Sequence, residues 1–527
     1  MYKKVCDIIF GIIIFSLIFI TLPNGIRLNF LGGVFSRQMI LYPLLIGMLY
    51  TIYCQWKYKD IIVYGKHFVV FLGTYLAVSL VSTIWGLYTY PYYAEVLHGP
   101  IDQIEKLPYV AAWLRNHHIM IDEQLLAQLW MIARIMKSVF QETLWAWGGT
   151  YIIFCWYCKR AQDGIHVLLK ALYAAIGCVL IYGLVDVFYL AGNETAKSIL
   201  ITMNPYMHDI KSNGTWWPPL LWTSAQLRSL FAEPSYFGIF SAFAAPMIWY
   251  SWLKAQSWRK KTMIGGIWMA WSFCLFLTQA RAGVALLIGE ALLLILVAVL
   301  VRKQYLLRFI VMLICVTGLS FGGAIQYISF CNVKPTQISS QKISAAKVAE
   351  KSKTEVYLNK NVASLASTSQ RSNGARYSIM IADFKIGMAH PILGVGNNLR
   401  DAYIPDYLPD LARNNREVKM WLTNQQEKGI LKAGFPRLGE YTARFAENGL
   451  LGLIIFLFPP VYLAAGLLRT ILRKKLKEEQ EKRGIFLLIS LAGTLAAGIG
   501  DTINITYCYW IILGLGYAFL CSLKQSE

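Results

Sequence analysis

Apolar runs long enough to cross a bilayer as a helix, about 20 residues each, recur along most of the chain. They fall at about 6–22, 38–54, 67–90, 138–158, 165–191, 229–253, 262–279, 283–301, 306–328, 441–468, 484–500 and 503–523. The pattern predicts an all-α, polytopic membrane protein with about twelve transmembrane helices. Short loops rich in Lys and Arg separate many of the runs. They hold Lys3-Lys4, then Lys57, Lys59 and Lys66, then Lys159-Arg160, then Lys254 with Arg259-Lys260-Lys261, then Arg302-Lys303 with Arg308, and the stretch Arg469 to Arg483. All fall on one side of the predicted membrane, which the positive-inside rule makes cytoplasmic; both termini then face the cytoplasm. The first run follows Tyr2-Lys3-Lys4 and has no small-residue cleavage site, so it reads as a retained helix rather than a signal peptide.

Three larger segments face the other side. The first, about 91–137, carries mixed charges and a short helix. The second, about 192–227, holds Trp216-Trp217-Pro218-Pro219 and Trp222, and Trp at this level is first an interfacial anchor. The third, 329–440, is the largest and divides the chain into helices one to nine (1–328), an extracytoplasmic loop, and helices ten to twelve (441–527). The loop opens with a Lys-, Ser- and Thr-rich stretch to about Asn373, which lacks apolar periodicity and reads as mobile. Tyr377, Met380, Ile381, Phe384 and Met388 then recur at helical spacing, an amphipathic helix lying on the membrane or over a cavity. It ends at His390-Pro391, and Gly394-Val395-Gly396 follows as a turn permitting close backbone approach.

Composition agrees: 56% of the 527 residues are hydrophobic, and the mean hydropathy is +0.46. The net charge of +21 is explained by the basic loops and does not call for a nucleic-acid partner. Most of the 10 Cys lie in apolar runs, so no disulfide framework is implied, and Cys155/Cys158 reads as packing at a helix end. His117-His118 has no further ligand at metal spacing. No phosphate-binding glycine loop sits between a strand and a helix, so nucleotide-driven pumping is unsupported. No cofactor is predicted.

The candidate chemistry lies on the outer face. Arg281 occupies a tight turn between two helices, and an Arg at membrane level is a functional candidate unless it only reaches lipid phosphates. Arg228 enters its helix from the same face, and Arg376 opens the amphipathic helix. Three arginines from separate segments can converge on one cavity, and their planar donor forks suit a lipid-linked diphosphate. Glu233, Glu440, Glu447 and His390 are the candidates to take a proton from an acceptor hydroxyl. Glu233 and Glu447 are also placed to cap helix starts, whereas Glu440 has no evident structural role. Asp186 and Glu290 lie deeper and read as paired interhelical contacts.

Four pieces together resemble the O-antigen ligase and polymerase superfamily of bacterial membrane glycosyltransferases, with a GT-C-like fold. They are Arg228-Ser229-x-Phe231-x-Glu233-Pro234-Ser235, Thr278-Gln279-Ala280-Arg281-Ala282-Gly283, Arg376 through His390-Pro391-Ile392-Leu393-Gly394-Val395-Gly396, and Phe445-Ala446-Glu447-Asn448-Gly449-Leu450-Leu451-Gly452. The resemblance implies transfer of an undecaprenyl-diphosphate-linked glycan to an acceptor hydroxyl at the outer face of the cytoplasmic membrane, without metal. It implies that Arg228 and Arg281, with Arg376 a third candidate, hold the diphosphate. Ligases of this family usually carry a His shortly before the E-x-G-x-x-G stretch; here that region reads Arg437-Leu438-Gly439-Glu440-Tyr441. Polymerisation of lipid-linked repeat units is therefore favoured over ligation, and a flippase of the same glycan is a third reading. Glu440 is the first choice of base and His390 the second. The bilayer and a chain-length regulator protein are the remaining candidate partners.

Overall fold

A computed structural model describes residues 2–23, 26–28, 38–59, 65–100, 103–104, 106–210, 218–222, 225–332, 357, 371–473 and 476–524. The predicted mobile stretch before Asn373, and Trp216-Trp217, lie almost wholly outside them. The described chain is helical. In order, α1 is Tyr2–Ser16, α2 Leu41–Tyr58, α3 Lys66–Tyr88, α4 Tyr93–His98, α5 Leu107–Asn116 and α6 Glu123–Glu142. A π-helical turn, Thr143–Gly148, joins α6 to α7, Gly149–Tyr157. Then come α8 Ala161–Leu190, α9 Glu194–Met207, α10 Pro234–Lys254, α11 Trp258–Leu277, α12 Arg281–Val301 and α13 Gln304–Asn332. The outer loop contributes α14 Arg371–Ala389, α15 Arg400–Tyr407 and α16 Arg416–Lys428; α17 Glu440–Leu472, α18 Glu478–Ala497 and α19 Cys508–Lys524 finish the chain.

Each of the twelve predicted runs overlaps a helix. Among the described residues, though, only 5 helices (α3, α8, α12, α13 and α17) are long and apolar enough to cross a membrane by length and composition. The rest fall short for readable reasons. α1 has 15 residues and α19 has 17. The 138–158 run is split by the π-helical turn. α11 opens on Arg259-Lys260-Lys261 and α18 on a cluster of Glu, Lys and Arg. Five such helices are the mark of a multi-pass membrane protein.

The main core is built around α10, where aromatic and small residues are buried from Phe237 to Trp252. Phe237 stacks on Trp271 at 4.7 Å. A second core lies at one end of the bundle and joins α4–α6 to α14–α16 through Val96, Ile135, Ile379, Ile386, Ile404 and Val418. At the opposite end the basic loops meet: Arg160 pairs with Asp7, Lys254 with Glu479 and Lys303 with Glu481. The grouping of these loops on one side is thus seen in three dimensions.

The α14 helix differs from its predicted pattern. Its buried face is Ala375, Ile379, Ala382 and Ile386, packed on α17. Ile381, Phe384 and Met388, read as its apolar stripe, point outward with Ile392. The helix is apolar on two sides: one makes the core and the other is available to lipid.

Candidate functional site

The mouth of the site is set by helix packing. At Gly238 a Cβ would lie 2.6 Å from the Gly283 Cα, so only two glycines let α10 and α12 cross this closely. The crossing brings the first residues of both helices to the same end. Glu233 is the N-cap of α10, with Pro234 at the first position. Its carboxylate caps no backbone N–H and instead accepts the Ser235 hydroxyl. Arg281 is the first residue of α12, and no side chain caps that helix either. Among the described residues Arg281 has no hydrogen bond or ion pair, and its strongest charged neighbour is another cation, Arg376 of α14. Two guanidinium groups beside an uncapped helix start form a ready anion site.

Arg376 is anchored on the turn between α18 and α19. Its guanidinium donates to the Gly500 carbonyl at 2.6 Å and faces Asp501 at 3.5 Å. The other Asp501 oxygen accepts the Thr502 N–H at 2.9 Å. Burial pushes the Asp501 carboxyl up to about 6; Arg376 and the Thr502 N–H oppose this, and the nearby negative charge of Glu233 adds to it. Arg376 thus faces Asp501, the charge of Glu233 reaches Asp501, and Arg281 has Arg376 as its charged neighbour. Asp501 was not singled out from sequence. The signal available was its position in Gly498-Ile499-Gly500-Asp501-Thr502, a turn on the face opposite the basic loops.

Beside this mouth lies a buried ion-pair network. Glu440 Oε1 accepts Arg444 Nε at 2.6 Å and Arg437 Nη1 at 3.3 Å. Glu440 Oε2 accepts the Thr502 hydroxyl at 2.6 Å. The expectation that Glu440 has no structural role is therefore overturned: it is fully buried and both oxygens are occupied. Arg444 continues to Glu142. Glu447 pairs with Arg437 and stands 3.9 Å from Arg400. Its carboxylate is held within this network, by Arg437 and Arg400. Arg400 ends the chain of pairs on Asp383 at 2.7 Å. Burial pushes the Asp383 carboxyl up to about 6, with Arg400 opposing.

The turn after α14 explains two of the sequence motifs at once. α17 breaks at Gly449, where φ is 63°. The loop from Pro391 to Gly396 lies against the break. Leu450 donates to the Pro391 carbonyl at 2.8 Å, Val395 to Ala446 at 2.9 Å and Gly396 to Glu447 at 2.8 Å. Gly394, at φ +69°, has no room for a side chain, since a Cβ would lie 2.4 Å from the Glu447 carbonyl carbon. Ser82 of α3 clips the joint by donating to Leu393 at 2.6 Å and Glu447 at 2.9 Å. His390 belongs to this joint: its ring meets Tyr403 edge-on at 5.8 Å, and burial lowers its pKa. It lies 14 positions beyond Arg376, roughly 20 Å along α14 at about 1.5 Å per residue. His390 and the arginine pair cannot serve one reacting bond.

Arg228 is also separate in its contacts. Its guanidinium donates inward to Leu220 at 3.0 Å and Ala232 at 3.4 Å, both backbone carbonyls. Asp186 of α8 receives the N–H groups of Arg228, at 3.1 Å, and Ser229, at 2.6 Å. Asp186 is paired as predicted. Arg228 is 3% exposed and organises the loop before α10. Its charge is partly disfavoured by burial and restored by Asp186.

The architecture is that of a multi-pass helical membrane protein with a group of arginines and carboxylates at one end of its bundle. Residues 264–425 match a family model described as O-Antigen ligase, a match consistent with the O-antigen ligase/polymerase superfamily. The matched segment contains Arg281, Arg376 and His390. No match was found among curated proteins.

Proposed function

We propose that the chain polymerises lipid-diphosphate-linked oligosaccharide repeat units at the outer face of the bacterial cytoplasmic membrane. The observation that carries this reading is the approach of Arg376 to Arg281, an arginine without an ion pair among the described residues, at the uncapped start of α12. Arg281 and Arg376 would grip the diphosphate of an undecaprenyl-linked donor. The acceptor oxygen attacks the anomeric carbon, and the bond from that carbon to the phosphate oxygen breaks with its electron pair. The lipid diphosphate leaves with its charge held by the two guanidinium groups. The acceptor proton passes to Asp501, the carboxylate that faces Arg376, and Glu233 stands beside it. Arg228 holds the loop that sets Glu233. In this reading no metal is required, because the arginines carry the leaving group's charge.

The polymerase reading, rather than ligation, is supported by Arg437 and Glu440. They stand near where ligases of the family usually have a His, and both are locked in ion pairs. The description of the matched family favours ligation as the second reading. Both termini would be cytoplasmic. The helices beyond the five would also cross, as interior members of the bundle, giving about twelve spans. A chain-length regulator is a candidate partner. Reconstitution of the purified protein with a lipid-linked repeat unit tests the reading. Growth of a ladder of products supports polymerisation, transfer only to a foreign acceptor supports ligation, and movement across the bilayer without new bonds defeats both.

A further inference from the structure

Glu290 lies nine residues into α12, roughly 13 Å along the axis from Arg281. It is 3% exposed, and neither carboxylate oxygen has a hydrogen-bond partner. No charged group among the described residues acts on it. It is therefore not the paired contact that its position in an apolar run suggested. The carboxyl fills the space in front of Gly493 of α18: a Cβ there would lie 1.9 Å from Glu290 Oε1 and 3.2 Å from the Ala242 carbonyl oxygen of α10. That carbonyl is a particular one. In a regular helix it would accept from residue 246, four positions on, and residue 246 is Pro, which has no N–H. Pro246 thus frees an acceptor in the membrane interior, and this carbonyl and the Glu290 carboxyl both border Gly493. Ile239 and Ala242 of α10, Leu286 of α12 and Ala497 of α18 form an apolar cluster among the same three helices.

An unpaired carboxylate in such surroundings is costly, and so is an unsatisfied carbonyl. One proton removes both costs. We propose that Glu290 is a proton-binding site in the membrane interior, carried as a neutral acid whose O–H donates to the Ala242 carbonyl and so joins α12 to α10 across Gly493 of α18. The joint adds a polar contact between α10 and α12 beyond the Gly238–Gly283 crossing. It fixes the relative register of the two helices whose first turns carry Glu233 and Arg281. That last consequence rests on the proposed transfer reaction; the protonated joint does not.

Infrared spectroscopy of the purified, membrane-reconstituted protein tests it without an activity assay. The wild type should show the carbonyl band of a protonated, hydrogen-bonded carboxylic acid that persists at neutral pH and above. Glu290→Gln, which keeps shape and a donor, should fold and lose that band. Pro246→Ala restores the N–H for the Ala242 carbonyl, so the Glu290 band should remain and move to the higher frequency of an acid without its acceptor. The proposal is overturned if no acid band disappears in Glu290→Gln, or if Pro246→Ala leaves the band where it was. If Glu290→Gln does not fold, the Pro246→Ala shift decides alone. Loss of glycan transfer with these bands intact would count against the proposed reaction and not against the joint.

Discussion

Arg376 and Asp501 face one another at 3.5 Å, on a helix of the outer loop and on the turn before the last helix. The residue after Asp501, Thr502, donates to Glu440. One short turn thus connects the open charges of the mouth to the closed ion-pair network beside it. Arg376 is also the charged neighbour of Arg281, so in the proposed reaction an anion held by both arginines would loosen Arg376 from Asp501. Anion binding and the basicity of Asp501 would then be coupled through this one guanidinium group.

The pH dependence follows from Asp501, whose carboxyl burial raises to about 6. As a base it works only when ionised, so kcat/KM should rise through pH about 6 and then level. Asp501→Asn should flatten the profile and lower turnover by about 10²–10⁴, the usual worth of general base catalysis. Stability should move the opposite way. A carboxyl whose folded pKa lies above its unfolded value stabilises the fold below the unfolded value, and that contribution is lost as pH rises through the folded one. Asp383, also raised to about 6, has the same sign. A pH series of thermal unfolding midpoints beside the rate profile checks both directions.

Arg228 and Arg281 should respond differently to Lys. Arg228 uses its planar fork on the Leu220 and Ala232 carbonyls inside the protein. Arg228→Lys should lower the unfolding temperature and leave donor affinity of the folded fraction within about twofold, since roughly one hydrogen bond, near 1 kcal/mol, is lost from the fold. A large affinity loss with unchanged stability would return Arg228 to the binding site.

The joint at Gly449 makes a sharp steric prediction. Gly394→Ala must place a methyl group against the Glu447 backbone at positive φ. It should destabilise by more than about 1 kcal/mol and lower activity by displacing Glu447 and Arg437. Gly266→Ala, with nothing within 4 Å of the new group, should be neutral or stabilising. Equal behaviour of the two variants in thermal unfolding would contradict the docking geometry.

Much of this was legible in the sequence, and the exceptions have physical causes. The helices were legible because bilayer-length apolar runs are hard to mistake, but aromatic and charged ends take several below the length of a clear span. Arg281 and Arg376 stand out in the sequence as cations on the face away from the basic loops, and the structure makes them charged neighbours. Glu440 was misread although Arg437 and Arg444 stand three residues before and four after it, the spacing of helical neighbours. His390 could have been set apart from Arg376 by helical rise alone. Arg228 could not have been resolved, because its partners are backbone carbonyls. Asp501 did not stand out because it sits in the short gap between two apolar runs, 484–500 and 503–523.

The buried pair Arg400–Asp383 predicts a stability effect without a direct catalytic one. Both side chains are nearly inaccessible, at 4% and 0%. Arg400→Ala leaves a buried carboxylate alone and should cost about 3–5 kcal/mol, with part recovered when Asp383 is also made apolar. Denaturation of the single and double variants measures this. Additive losses would mean that the pair is not coupled.

The central claim is that Arg281 and Arg376 together hold a lipid diphosphate, and equilibrium binding of a non-hydrolysable lipid-diphosphate donor to the purified protein tests it most directly. Arg281→Lys and Arg376→Lys should each weaken binding by tenfold or more while unfolding midpoints stay near wild type, because a point charge cannot replace the planar donor fork. The double variant should lose less than the product of the two single losses, as expected for two groups on one anion. Wild-type affinity in both folded single variants would contradict the account.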